Sequence, residues 1–305
     1  MASYTYPVAR PTGNLTTAEI HLLLGDPQLI AKRVGDLSDQ RFIADYLLAG
    51  RYSAEGGGIF YETGEQIFPA DASESVGPNG EYPKTVLTAG ELAAAKTDKR
   101  GLETDITDER IKRNGLDSVD RALTKLVNGV VRDVDSIAMA VIASKITDTF
   151  ASSAWTSVAN VVSALAAAKA NREDLALGLD LDTVALSGAQ WAKVMGLFAS
   201  AGVLPREGDG NPLVNGNFPQ NLLGYTWVTS PHIVGSDPML IDREQLGGMG
   251  DEDLGSPDYV RAGEFNVETY TDRNKTDSYT VRARRVTVPV VIEPHAGLKI
   301  TGTTL

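Results

Sequence analysis

The 305-residue chain contains no cysteine. Disulfide scaffolds and Cys-ligated metal sites are therefore excluded, and folding is indifferent to the redox compartment. Histidine is almost as scarce: His21, His232 and His295 fall in three distant segments. No His-Glu-x-x-His, Gly-x-Ser-x-Gly or Walker-type loop is present. The sequence thus offers no catalytic, cofactor-binding or metal-ligating residue to assign. The start, Met-Ala-Ser-Tyr-Thr-Tyr-Pro, lacks the basic and apolar regions of a secretory signal. No apolar run is long enough to span a bilayer. The longest, Val158 to Ala170, is alanine-rich and broken by Asn160, Ser163 and Lys169. Basic charge is in deficit as well, with 28 Lys and Arg against 40 Asp and Glu, a net charge of −12. An acidic chain is a poor candidate for tight nucleic-acid binding, which draws its affinity from neutralised phosphates.

What is present is ordinary core material, 42% hydrophobic with 22% charged residues, and one dominant stretch. From Thr107 to about Thr149, apolar residues recur at Leu116, Val119, Leu123, Leu126, Val130, Val134, Ile137 and Val141. Steps of three and four place them on one face of a helix. Thr107 followed by Asp108 and Glu109 suits its N-terminus. Gly115 and Gly129 are tolerable losses of helix propensity. A single helix of that length is a rod of roughly 60 Å, which needs an extended partner.

Around it the chain alternates in character. Residues 1–35, with Tyr4, Tyr6, Pro7 and Pro11, read as an arm with a helical patch at Thr17–Leu24 that ends at Gly25-Asp26-Pro27. A helix is expected from Leu37 to Leu48. Residues 51–106 contain strand-like Ile59–Glu62 and Leu102–Ile106, bracketing a Gly-, Pro-, Ser- and Asp-rich stretch. Such a long loop reads as a two-stranded excursion that needs another subunit to pack on, because a lone hairpin is marginal in water. Residues 175–245 mix strands and helices: Asp182–Ser187, a helix over Gly188–Ala201, a Gly- and Pro-rich loop Val203–Gln220, then strands at Leu222–Thr229 and Met239–Asp242. Phe265–Tyr270, Tyr279–Arg284 and Val286–Ile292 complete the strand material. Pro289 argues for an edge position or a bulge.

Three groups invite a chemical reading. Gly56-Gly57-Gly58 is not followed by a helix with a lysine and reads as a flexible loop. Asp251-Glu252-Asp253 has the oxygens for a divalent cation, but reads better as a solvated acidic loop. Arg282, Arg284 and Arg285 alternate along a strand, so Arg284 and Arg285 point to opposite faces. Salt bridges are their expected use.

The order of these parts resembles the major capsid protein of tailed bacteriophages, an α+β chain with the HK97-like fold; encapsulins are relatives. The resemblance runs through Glu81-Tyr82-Pro83, the exit Lys99-Arg100-Gly101-Leu102 to Ile106-Thr107-Asp108-Glu109, the segment Leu223-Gly224-Tyr225-Thr226-Trp227-Val228, and the tail Val281-Arg282-Ala283-Arg284-Arg285 to Val290. It implies an N-terminal arm (1–35), a short helix leading into the loop (36–50) and an extended loop or E-loop (51–106). A peripheral domain with its spine helix (107–174), an axial domain (175–245) and closing peripheral strands (246–305) follow. It implies a structural protein, not an enzyme, that needs no cofactor and self-assembles into pentamers and hexamers. The icosahedral head would enclose double-stranded DNA without sequence-specific binding, with a portal protein at one vertex and scaffolding or decoration proteins as further partners. Assembly would take place in the host bacterial cytoplasm, with no membrane. The acidic balance would let DNA slide along the inner wall. The chain starts directly at the arm, which implies a separate scaffolding protein or none, and no cleavage. Lys84 lies in the loop where one relative forms a Lys–Asn cross-link; Asn266 and Asn274 are the strand asparagines, and non-covalent stapling is expected. An encapsulin-like nanocompartment shell is the alternative, and a metal-dependent hydrolase using the acidic loops the alternative of another class.

Overall fold

The computed structural model describes residues 15–38, 42–65, 69, 71–86, 89–175, 177–202, 221–233 and 235–305. Residues 1–14 of the arm expected at 1–35, and the loop Val203–Gln220, lie outside the described residues. The chain divides into two compact units, each assembled from three separated stretches.

The first unit comprises Met1–Phe42, Asp98–Val134 and Asp251–Thr287. Helix α1 (Thr17–Gly25) opens with a capping box: the Thr16 hydroxyl accepts the Glu19 N–H, and the Glu19 carboxylate accepts the Thr16 N–H. The Thr16 N–H, and then the Thr16 hydroxyl, bond to the Glu19 carboxylate and hold it below its usual range. The helical patch ends at Gly25 with Asp26 as its cap, as the sequence suggested, but the chain does not leave helical structure at Pro27. That proline begins α2 (Pro27–Ser38), where a missing N–H costs nothing and Asp26 accepts the Gln28 N–H. The helix expected from Leu37 is correspondingly shorter, α3 (Ile43–Leu47).

In this unit a four-stranded antiparallel sheet runs β11 (Val260–Ala262), β12 (Val267–Asn274), the first part of β13 (Ser278–Val291), β4 (Asp98–Thr107). The expected break near Val286 is absent, and β13 is one strand of 14 residues. Leu102–Ile106, expected to be the return strand of the excursion, belongs to β4 and pairs with Tyr279–Ala283. Its pairing ends at Asp98 and Thr287, two residues short of Pro289, so the proline breaks no β4 bond. The α2 backbone approaches the sheet closely at Gly35, where a Cβ would lie 2.6 Å from the Gly263 nitrogen.

The long helix is two helices. Helix α4 (Asp108–Asn114) stops at Gly115, whose φ of +58° only glycine adopts freely, and α5 (Leu116–Lys145) follows. Val119, Leu123, Leu126, Val130 and Val134 are buried as the stripe required. Beyond Val134 the buried set becomes Asp135, Ala138, Met139, Ile142 and Ile146, and Ile137 and Val141 are only half-buried. At 100° per residue that set lies about a third of a turn round the helix. Gly129 is more than tolerated: a Cβ there would meet Leu102 of β4 at 2.2 Å.

The second unit comprises Ile43–Thr97, Asp135–Gly250 and Val288–Leu305. Its main sheet runs β5 (Thr149–Ala151), β14 (Gly297–Thr301), β9 (Met239–Ile241), β6 (Thr183–Leu186), β8 (Tyr225–Thr229), β7 (Asn221–Leu222). The β5–β14 and β6–β8 pairs are parallel, the others antiparallel. All four residues of β6 are buried, as a central strand requires. Helices α6 (Val158–Asp174) and α7 (Gly188–Ser200) share with this sheet a core of Leu165, Val184, Phe198, Trp227, Leu240 and Ile300. The strand expected over Leu222–Thr229 is instead a tight hairpin turning on Leu223 and Gly224, both at positive φ. Strands β1 (Gly50–Ser53) and β10 (Gly247–Asp251) are neighbours and lie so close that a Cβ on Gly248 would sit 2.2 Å from the Gly50 oxygen. A separate two-stranded ladder pairs β2 (Gly58–Thr63) with β3 (Glu91–Lys96).

Candidate assembly surfaces

The arginines of the sheet tail are spent on ion pairs, as their alternation suggested. Arg282 Nε donates to Glu103 at 2.7 Å, and Arg284 Nε to Glu268 at 2.6 Å with its guanidinium 3.5 Å above the Tyr259 ring. Arg285, on the opposite face, is fully buried; its Nε and Nη2 reach the two carboxylate oxygens of Asp251, each at 3.1 Å. The Asn266 amide donates to the same carboxylate at 3.0 Å, and Arg285 lies 4.8 Å from the Phe42 ring. Asp251 is therefore no part of a solvated loop: it ends β10, 7% exposed, and neutralises a buried guanidinium. Asp253, two residues on, accepts the Gly255 N–H. The metal-dependent hydrolase reading loses its ligands here.

The three histidines do not converge. His21 Nδ1 lies 3.2 Å from the Tyr279 hydroxyl, and His295 Nδ1 lies 2.8 Å from Asp148. Asp148 also accepts from the buried Arg172 at 2.6 Å. Bonds from His295 and Arg172 outweigh burial and hold its carboxyl below the ordinary range. His232 sits in the field of Asp135. Among the described residues no three His, Asp or Glu are grouped as metal ligands, and no helix is long and apolar enough to cross a membrane. Gly56 and Gly57, at φ +65° and +87°, form a tight turn closed by the Glu55–Gly58 bridge, an ordered turn where a flexible loop was expected.

Two groups were invisible as such in the sequence. Asp135, in the middle of α5, is 3% exposed and accepts the Ala44 N–H at 3.0 Å and the Ile43 N–H at 3.4 Å, the free donors at the start of α3. Burial pushes its carboxyl up to about 6 against the pull of those bonds; Asp45 adds to the rise and His232 opposes it. The other group is the β2–β3 ladder. Its register pairs Phe60 with Ala94 and Glu62 with Leu92, so Phe60 and Leu92 share one face. Phe60 is 78% exposed and Leu92 70%. On the other face Ile59 and Tyr61 are half-buried, and a Cβ on Gly250 would lie 3.7 Å from Ile59 Cδ1. Tyr82 and Val86, in the stretch between the two strands, are as exposed as Phe60. Lys84 is exposed there too. Asn266 is held by Asp251, and Asn274 donates to Asp105.

An exposed Phe and Leu on a two-stranded ladder is a surface built to be covered. No curated protein sequence matches the chain. Among solved structures, the capsid of the cyanophage P-SCSP1u aligns with a TM-score of 0.58 at 12% identity, over 82% of this chain and 85% of that one. A virus-like particle from Pyrococcus furiosus aligns at 0.56 and 10% identity, over 90% and 98%. A protein of Mycobacterium phage Adephagia aligns at 0.52 and 13%, over 95% and 98%. These likenesses establish the α+β, HK97-like capsid fold. A family model described as phage capsid protein matches residues 91–300, and the chain belongs to that family: it is a structural shell protein of phage particles, not an enzyme.

Proposed function

We propose that the chain assembles through pentamers and hexamers into an icosahedral head around the double-stranded DNA of a tailed phage, with a portal at one vertex. The observation that carries this is the β2–β3 ladder, whose apolar Phe60 and Leu92 are left exposed by the described residues. In this reading the excursion 51–106 is the E-loop, and its projecting part is the ladder and the stretch between its strands. Residues 107–174 and 246–305 form the peripheral domain, 175–245 the axial domain, and the arm 1–35 reaches a further copy. Unlike faces then meet in rings, which close at five or six copies. Obligate contacts of this kind bury upwards of about 2,000 Å² in total. Assembly takes place in the host cytoplasm, with scaffolding and decoration proteins as outside partners and with non-covalent stapling.

Likeness to the Pyrococcus furiosus virus-like particle supports a second reading, a protein nanocompartment of the same fold. Sedimentation and micrographs of the expressed chain test both. Megadalton particles or rings are expected, and the same chain lacking residues 71–86 is expected to fold but not to assemble. A stable wild-type monomer overturns the proposal. Nucleic acid inside particles from infected cells supports the phage head, and a cargo protein supports the compartment.

A further inference from the structure

The first unit handles its cations in two ways. Arg33, Arg100, Arg273, Arg282, Arg284 and Arg285 each hold a carboxylate. Arg110, Lys112 and Arg113 of α4 and Arg121, Lys125 and Arg132 of α5 hold none within 4.0 Å, and all six are exposed. This happens in a chain with 12 more acidic than basic residues, where carboxylate partners are in surplus. In α5 the steps of four and seven put Arg121, Lys125 and Arg132 in one row, on the side away from Val119, Leu123 and Val130. The row spans about 16 Å along the axis. Asp117 is the exposed carboxylate at its head.

The chemistry of the row selects its partner. Between Glu103 and Val161 no large hydrophobic side chain is exposed. A docking face for another protein has an apolar centre, as the Phe60–Leu92 face does. A row of exposed guanidinium and ammonium groups with no apolar centre suits a hydrated polyanion, whose contacts are polar and wet. Duplex DNA offers about one charge per 1.7 Å of axis, ample for a row of this length. The acidic remainder of the chain does not forbid it. At 0.1 M salt, exposed charges more than about 10 Å away are largely screened.

We propose that the basic row of α5, Arg121, Lys125 and Arg132, binds the sugar–phosphate backbone of duplex DNA, without sequence preference. The proposal rests on the reading of the chain as a wall around duplex DNA. It adds that the wall, acidic overall, holds the duplex at a basic line.

The test uses the full chain, unassembled, and two fluorescent 30-base-pair duplexes of unrelated sequence, titrated between 50 and 200 mM NaCl. Equal affinity for both is expected, falling steeply with salt. The triple variant Arg121→Gln/Lys125→Gln/Arg132→Gln lowers the slope of log K against log salt by about 3, at roughly 0.9 per phosphate contact. Its Tm and particle formation stay as in the wild type. The charge-preserving pair Arg121→Lys/Arg132→Lys keeps the slope, which separates lost charge from lost fold. Absence of salt-dependent binding by the wild type overturns the proposal, as does an unchanged slope in the triple variant. A triple variant that keeps DNA binding and loses particles also overturns it, and assigns the row to a second copy of the chain. A wild type that binds with the full slope yet never assembles overturns the shell reading instead and leaves the DNA contact standing.

Discussion

The carboxyl of Asp135 is the residue on which stability and pH meet. Buried and accepting two backbone N–H groups, it has a folded-state pKa of about 6 against 3.8 for the ordinary group. Between those values the folded chain binds a proton that the unfolded chain has released. Stability therefore falls as pH rises through that window, by about 3 kcal/mol in all. Asp135→Asn keeps an acceptor oxygen for the Ala44 N–H and removes the ionisation. Melting followed from pH 4 to 7 should show the variant gaining on the wild type as pH rises, with the gain complete above pH 7. Equal pH profiles would falsify the assignment. Asp148 acts with the opposite sign. Its carboxyl is held low by His295 and Arg172, so its contribution is present at neutral pH and disappears as pH falls below the ordinary carboxylate range. Comparison of the Asn variant with the wild type cancels that background. The Arg285–Asp251 pair shows why composition misleads at this scale. Asp251-Glu252-Asp253 reads as an acidic loop, yet Asp251 is buried because a buried arginine 34 residues later needs it.

At the scale of elements, the β2–β3 ladder makes the firmest prediction. Phe60 and Leu92 are exposed, so Phe60→Ser/Leu92→Ser costs the isolated subunit little. Each large side chain buried at a contact contributes about 1.5–3 kcal/mol, and tenfold in association is about 1.4 kcal/mol. The double variant should melt like the wild type and need at least ~100-fold more protein to form particles, read by sedimentation. Unimpaired assembly would remove this face from the contact. The sequence announced an excursion but not which strands make it. Leu102, Thr104 and Ile106 alternate as convincingly as Ile59–Glu62, and only the long register with β13 claims them for the other sheet. The apolar stripe of α5 was legible to Val134. Past that point the helix buries a different face, and a single-face template follows Ile137 and Val141 wrongly. Gly115 and Gly129 looked alike in the sequence. One breaks the helix through its φ, and the other makes room for Leu102; both facts live in tertiary geometry. The strand Gly247–Asp251 read as loop because it is mostly glycine. Gly248 answers to the approach of Gly50, and Gly247 to that of the Val290 carbonyl.

For the whole molecule, the two surfaces should respond to salt in opposite directions. A net charge of −12 on every copy makes copies repel one another, and that repulsion is screened as the Debye length falls from about 10 Å at 0.1 M to about 3 Å at 1 M. The contact through Phe60 and Leu92 is apolar and does not weaken with screening; excluded salts such as sulfate strengthen it. Raising salt from 50 mM to 500 mM should therefore lower the protein concentration at which particles appear. Over the same range, DNA bound at Arg121, Lys125 and Arg132 should be released, because counterions no longer gain by leaving the duplex. Light scattering for assembly and fluorescence anisotropy for DNA, run on one preparation, read both trends. Assembly that dissolves with salt would mean that the copies are held by charge pairs, not by the apolar ladder face. DNA binding that survives 500 mM salt would mean that bases or stacking, not the phosphate line, carry the contact.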